Sequence, residues 1–248
     1  MKTTGNTILI TGGSAGIGFE IAKAFSESGN HVIITGRDGQ RLANAASQLK
    51  NATPIVSDVS DKNAVDALVK QIQADFPELN VVVNNAGRAY YYKLDGEQDA
   101  ATLAEEEMLT NYLSVIRLNQ ALLPVLKNAP EAAIVNVSSI AVIASNYLLS
   151  TYAASKAALH SYSQSLRITL EESPVKVFEL MPPLVNTEFS QEIGGANGIP
   201  PKEVADALIH AFETDTFEVR VGRTESLFQL YLSSPTEALR AMNPDAKF

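Results

Sequence analysis

The stretch Thr7-Ile8-Leu9-Ile10-Thr11-Gly12-Gly13-Ser14-Ala15-Gly16-Ile17-Gly18 decides how this chain is read. Thr7 to Ile10 is a short, β-branched apolar run of the length of a buried strand, and glycines follow it at once. From Gly16 to about Ser28 the pattern is helical. A strand, a glycine turn and a helix in that order make a place for an anion. Glycine permits the tight turn and the close approach of a ligand to the backbone, and the first helical turn presents N–H groups with no intrahelical partner. A pyrophosphate is the natural guest, and a tight strand-to-helix turn with no ligand is the alternative. The spacing of Gly12, Gly16 and Gly18 differs from the common one-three-six dinucleotide fingerprint.

Working outward, the same alternation continues to about residue 181. Strands are predicted at His31 to Thr35, near Pro54 to Ser57, and at Val81 to Val83, Ala133 to Val137 and Val175 to Leu180. Helices are predicted at about 40–49, 61–74, 100–128 and 151–171, between those strands. The strands are nearly continuous in hydrophobicity, as strands covered on both faces must be. The expected fold is therefore α/β: one Rossmann-type, doubly wound parallel sheet with helices on both faces, in a single domain over residues 1–248. Gly194 to Gly198 reads as a mobile loop inside a substrate loop at about 184–200. A last strand (217–221) and a helix (225–242) close the chain.

Composition narrows the function. At 46% hydrophobic and 19% charged the chain is ordinary globular material. A chain of this length buries roughly three quarters of its unfolded surface and needs no disulfide or metal to hold a core. It has no cysteine, which removes thiol nucleophiles and thiolate metal sites. His31, His160 and His210 are too far apart for a metal-ligand spacing, so no metal is expected. Nineteen basic against 28 acidic residues give a net charge of −9, which repels nucleic acid and anionic lipid. No apolar window is long enough to span a membrane, and the N-terminal run is too short for a signal peptide. The cytoplasm is the expected location, with no membrane insertion and no nucleic-acid partner.

The second strand ends Thr35-Gly36-Arg37. A carboxylate there would bind a ribose 2′-hydroxyl, whereas Arg37 suits a 2′-phosphate, so NADP(H) is expected and NAD(H) is not preferred. The alternative is that Arg37 is a solvated neighbour of Asp38. Tyr152 and Lys156 are four apart in a helical pattern and share a face. A lysine ammonium near the phenol is expected to lower the tyrosine's pKa, so that Tyr152 exchanges protons at neutral pH. Ser138 and Ser139 directly follow the fifth strand, at the carboxyl end of the sheet, where a hydroxyl can hold a substrate oxygen.

Taken in order, Thr11 to Gly18, Asp58-Val59, Asn84-Asn85-Ala86-Gly87, Asn111, Ser139 and Tyr152-Ala-Ala-Ser-Lys156 make the chain resemble the short-chain dehydrogenase/reductase family over essentially its whole length. The likeness narrows to the bacterial DltE-type subgroup in Lys156-Ala-Ala-Leu-His160, Met181-Pro-Pro183 and Phe217 to Gly222. The resemblance implies that Tyr152 is the general acid/base and that Lys156 lowers its pKa and holds the nicotinamide ribose. It implies that Ser139 orients the substrate oxygen, with Ser138 ranked second, and that Asn111 supports a water-mediated proton path behind Lys156. The implied cofactor contacts are Gly12, Ser14, Gly16, Ile17 and Gly18 on the pyrophosphate, Asp58 and Val59 at the adenine, Asn85 and Gly87 on the ribose side, and Val185 and Thr187 at the carboxamide.

Two departures concern the substrate wall rather than the hydride chemistry: Val142 and Pro183 stand where the family usually has glycine. The family also implies a homodimer or homotetramer, although the last strand lacks the family's Gly-Asp-Gly ending. The expected substrate is a small alcohol or carbonyl with an apolar body, lined by Ala141 to Leu149 (Val142, Ile143, Leu148 and Leu149 among them) and by the 88–99 and 184–200 loops. Tyr90-Tyr91-Tyr92 cannot all face one way on an extended chain; a substrate lid and a dimer contact are the two readings for them. Two other functions compete. One is an NADP(H) sensor or scaffold without turnover, and the other is a sugar-nucleotide epimerase or dehydratase, disfavoured because only residues 182–248 remain for its substrate region.

Overall fold

The computed structural model describes residues 1–247. Seven strands form one parallel sheet: β1 (Thr7–Thr11), β2 (His31–Gly36), β3 (Ala52–Val56), β4 (Leu79–Asn84), β5 (Ala132–Val137), β6 (Val175–Met181) and β7 (Glu218–Arg220). Their order is β3-β2-β1-β4-β5-β6-β7. The order turns back between β1 and β4, so the crevice beyond their carboxyl ends is where an open α/β sheet binds its ligand.

Helices α1 (Gly16–Glu27) and α7 (Pro201–Thr214) lie on one face, and α3 (Lys62–Asp75) and α5 (Ser114–Asn128) on the other. Alternation within each strand sorts the core. Ile8, Ile10, Val32, Ile34 and Phe178 meet Phe25 and Phe212 of α1 and α7. Leu9, Ile33, Val82, Ile134 and Val177 meet Leu68, Ile72, Leu118 and Leu122 of α3 and α5. Truncating a fully buried leucine or isoleucine to alanine costs about 2–5 kcal/mol, so either face is sensitive to single changes. The short helix α2 (Gly39–Ala46) follows β2, with Asp38 capping it through the Arg41 amide.

Two predicted helices are not single helices. The 100–128 stretch is α4 (Ala100–Met108) and α5, joined by a π-helical turn, Leu109–Leu113, that carries Asn111. The 225–242 stretch is α8 (Arg223–Ser233) and α9 (Pro235–Met242). Pro235 has no N–H for an α8 bond and serves instead as the first residue of α9, which Ser234 caps through the Glu237 amide. The 194–198 segment is also more ordered than a loop. Two 3₁₀ turns, Glu188–Ile193 and Gly195–Asn197, meet at Gly194 in the left-handed region. No helix among the described residues is long and apolar enough to cross a membrane.

Candidate functional site

The glycine turn lies at the carboxyl end of β1. Gly12 and Gly16 have φ of 65° and 56°, backbone that side chains rarely adopt. Gly18 is required by closeness: a Cβ there would lie 2.4 Å from the Gly12 carbonyl oxygen and from Asn85 Nδ2. Asn85 Nδ2 donates to the carbonyls of Thr11 (3.0 Å) and Gly12 (3.2 Å), tying the turn to the end of β4. Thr11 Oγ1 accepts from the amides of Asn85 and Ala86. The first turn of α1 has no side-chain cap and no acidic residue, so its N–H groups face the crevice free of competing carboxylates.

A cleft of about 850 Å³ runs from this turn to the carboxyl end of β5. Gly12, Gly16, Ile17, Arg37, Asn85, Gly87, Val185 and Thr187 line it, and so do Ser139, Tyr152 and Lys156. A smaller recess of about 170 Å³ adjoins it, lined by Gly12, Ser14, Arg37, Asp58, Val59 and Gly87. Gly18 lies behind the turn rather than in the cleft wall. Burial pushes the Asp58 carboxyl up, but hydrogen bonds from the Ser60 hydroxyl and amide, with the charges of Arg37 and Arg88, bring it below the usual range. A cleft that joins a glycine cradle, the cationic Arg37 and a carboxylate recess fits a dinucleotide. At its mouth Arg41 of α2 is ion-paired with Glu188 of the first 3₁₀ turn.

The catalytic candidates converge on the other end. Helix α6 (Ser150–Thr169) places Tyr152 and Lys156 one turn apart, and Ser139 follows β5. Tyr152 and Ser139 line the same end of the cleft, and Lys156 Nζ lies 5.8 Å from the centre of the Tyr152 ring. Lys156 Nζ donates to the Val137 carbonyl at 2.8 Å. The expected lowering of the Tyr152 pKa is not found. Burial raises the phenol to about 12, outweighing the effect of the Ser139 hydroxyl, and the Glu107 charge adds to the rise. Lys156 is itself pushed down to about 8 by burial, against the pull of Glu179.

Asn111 accepts from the Arg88 amide at 2.8 Å and donates to the Arg88 carbonyl and to Ser155 Oγ, both at 2.8 Å. Gly87 separates it from Lys156: a Cβ on Gly87 would lie 3.4 Å from Asn111 Oδ1 and 3.8 Å from Lys156 Nζ. Ser138 is committed elsewhere, its Oγ donating to Glu179 Oε1 at 2.5 Å. The three tyrosines part company. Tyr90 bonds Glu106 and Arg88, Tyr91 lines the cleft, and Tyr92 is buried with its hydroxyl 2.7 Å from Thr151 Oγ1.

The substrate end is walled by Ile140, Ala141, Leu149, Leu184 and Phe189, and also by Arg223, Ala241 and Met242 from the two last helices. Val142, Ile143 and Leu148, expected in this wall, are not part of it. Ile143 instead packs against the cluster of Leu227 and Ala238 under α8 and α9. The run Glu105-Glu106-Glu107 reads as a solvated helix face, but Glu107 is fully buried; the sequence did not single out Glu179, also a fully buried carboxylate, or Asn243, which ties the chain's end to the 145–148 loop. An acidic residue inside an apolar strand, as Glu179 is in β6, was the available signal.

A parallel doubly wound sheet with a glycine turn, a Ser-Tyr-Lys cluster and a dinucleotide-shaped cleft defines a nicotinamide-dependent oxidoreductase class, and the comparisons agree. The short chain dehydrogenase family model matches residues 6–197, and the chain belongs to that family. It is 41% identical over 232 residues to the uncharacterized oxidoreductase DltE of Bacillus subtilis (strain 168), covering 92% of each chain. A short chain dehydrogenase from Burkholderia cenocepacia J2315 in complex with NADP is 26% identical, with a TM-score of 0.86 over 97% of this chain and 98% of that one. A short chain dehydrogenase/reductase from Burkholderia phymatum in complex with NAD shares the fold, with a TM-score of 0.88 at 20% identity over 100% of this chain and 99% of that one.

Proposed function

We propose that this protein is an NADP(H)-dependent reductase of carbonyl compounds with an apolar body, using Tyr152 as proton donor. The observation that carries the proposal is the meeting of Tyr152, Ser139 and Lys156 at the end of a cleft that starts at the glycine turn. When bound, the dinucleotide supplies the hydride or accepts it. Gly12, Gly16 and Ile17 with the first turn of α1 would hold the pyrophosphate, Arg37 and Ser14 a 2′-phosphate, Asp58 and Val59 the adenine, and Val185 and Thr187 the carboxamide. Ser139 holds the substrate oxygen by a hydrogen bond, and the Tyr152 phenol delivers its proton to that oxygen. Lys156 supplies positive charge beside the ring and a donor for the ribose, and Asn111 supports the proton path behind it. A phenol held at about 12 keeps its proton at neutral pH and so stands ready as a donor. Ile140, Leu149, Leu184 and Met242 exclude water from the substrate body.

Dinucleotide preference rests on Arg37, since the similar structures hold NADP in one case and NAD in the other. The test is NADPH consumption against a panel of aldehydes, ketones and quinones, run beside Tyr152→Phe. Turnover that falls by about a hundredfold or more in the variant, with NADPH still bound, is the expected result. Turnover that survives the substitution overturns the role of Tyr152. NADPH binding without turnover on any member of the panel favours a nucleotide sensor instead.

A further inference from the structure

The cleft is more cationic than the molecule around it. In a chain of net charge −9, its charged lining residues are Arg37, Arg41, Lys156, Arg223 and a single carboxylate, Glu188. Arg37 lines the recess with Asp58, Arg41 holds Glu188, and Lys156 Nζ donates to the Val137 carbonyl. Arg223 has no such task. It opens α8 at the substrate end, is exposed, and forms no ion pair among the described residues. The carboxylates nearest to it in sequence are engaged by Arg220: Glu218 directly, and Glu225 at 3.5 Å, where Gln229 also donates at 2.7 Å. Arg223 Nη2 donates to the Ala241 carbonyl at 3.1 Å, which holds the guanidinium against the last turn of α9 and leaves most of its N–H donors unspent. Asn146, a polar neighbour on the same rim, has already used its amide: Nδ2 donates to the Met242 carbonyl at 2.8 Å and Oδ1 accepts from the Leu148 amide at 2.9 Å. Ile140, Leu149, Leu184 and Met242 make this end of the cleft otherwise apolar.

We propose that the substrate carries an anionic group at the end away from its carbonyl, and that Arg223 binds that group and so determines specificity. The inference rests on the reading that puts the carbonyl at Tyr152 and Ser139. The ligand class is then an amphiphile: a carbonyl at one end, an aliphatic body, and a carboxylate or phosphate monoester at the other. A guanidinium pairs either anion through two parallel N–H bonds, whereas a neutral carbonyl compound leaves those donors to water. On an acidic molecule an isolated cation at the rim of an apolar cleft also fixes the direction of entry, since the surrounding surface repels the anion.

The test is a binding titration on the full chain without cofactor, so that nothing turns over. The probes are straight-chain methyl ketones of increasing length that end in a carboxylate, in a phosphate monoester or in the methyl ester of the same acid. At the length that spans the cleft, one or both anions are expected to bind about fivefold or more tighter than the ester, and the larger gain identifies the natural anion. The ratio of anion to ester affinity is expected to fall to about one in Arg223→Gln, to survive in part in Arg223→Lys, and to shrink as salt is added. Arg223 is exposed, so these variants are expected to fold. Failure of both anions to outbind the ester at every length overturns the proposal, and so does a preference that survives Arg223→Gln. Failure here is distinct from failure of the reductase reading: the aldehyde and ketone panel run with Tyr152→Phe reports on the proton donor whatever binds at Arg223, and the affinity ratio is readable in a chain that reduces nothing.

Discussion

Arg37 lines both the main cleft and the smaller recess beside Ser14 and Asp58, where the proposed reading would put a ribose 2′-phosphate. Arg37→Gln is expected to weaken NADPH binding about tenfold, or about 1.4 kcal/mol, and to leave NADH binding unchanged. Titration calorimetry at one ionic strength measures both; equal losses would show that the arginine only shapes the turn. Arg37 was legible because its neighbours in sequence are also its neighbours in the site. The same holds for Gly12 to Gly18 and for Tyr152 with Lys156, one helical turn apart. The ionisation of Tyr152 was not legible in this way. Whether a nearby ammonium or the loss of water dominates depends on where Nζ points, and it points to the Val137 carbonyl.

At the scale of elements, the break between α8 and α9 shapes the substrate end. Because Pro235 restarts the helix in a new direction, Ala241 and Met242 reach the cleft, and Asn243 follows them into a buried position. Its Nδ2 donates to the carbonyls of Ser145 and Leu239 while Oδ1 accepts from the Tyr147 amide, so one side chain binds α9 to the segment before α6. Asn243→Ala leaves these backbone groups unpaired and is expected to cost about 1–3 kcal/mol of local stability. Hydrogen exchange should rise at residues 144–149 and 238–243 together; a rise in only one segment would mean that the two are not coupled through this residue. The seven strands and the helices between them were legible, since an apolar run and a helical period are local signals. The break was signalled by Ser234-Pro235 and lost inside a longer helical pattern. The contact of Asn243 with residue 145, like that of Glu179 with His160, depends on which strands and helices become neighbours, which no local window contains.

For the whole molecule, the two perturbed groups of the site predict how stability follows pH. Lys156 holds its proton to about 8 in the folded chain against an ordinary 10.5, so between those values the unfolded chain binds more protons and stability rises with pH. Below about 8 the cost of the buried cation is present in full. Tyr152, raised from 10.0 to about 12, contributes the opposite slope, stability falling as pH passes from 10 to 12. Thermal melts of the wild type and Lys156→Met between pH 7 and 10 isolate the first effect. The melting-temperature gap should shift in favour of the wild type above pH 8, and a gap independent of pH would contradict it. The arrangement of the sheet carries a cost in time as well. β1 lies between β2 and β4, with Ile8 pairing Val32 on one side and Val81 on the other. As the ribosome delivers the chain, β1 emerges first and waits for β4 with an apolar, unpaired edge. Folding slowed by the closure of long loops is the expected consequence of that strand order.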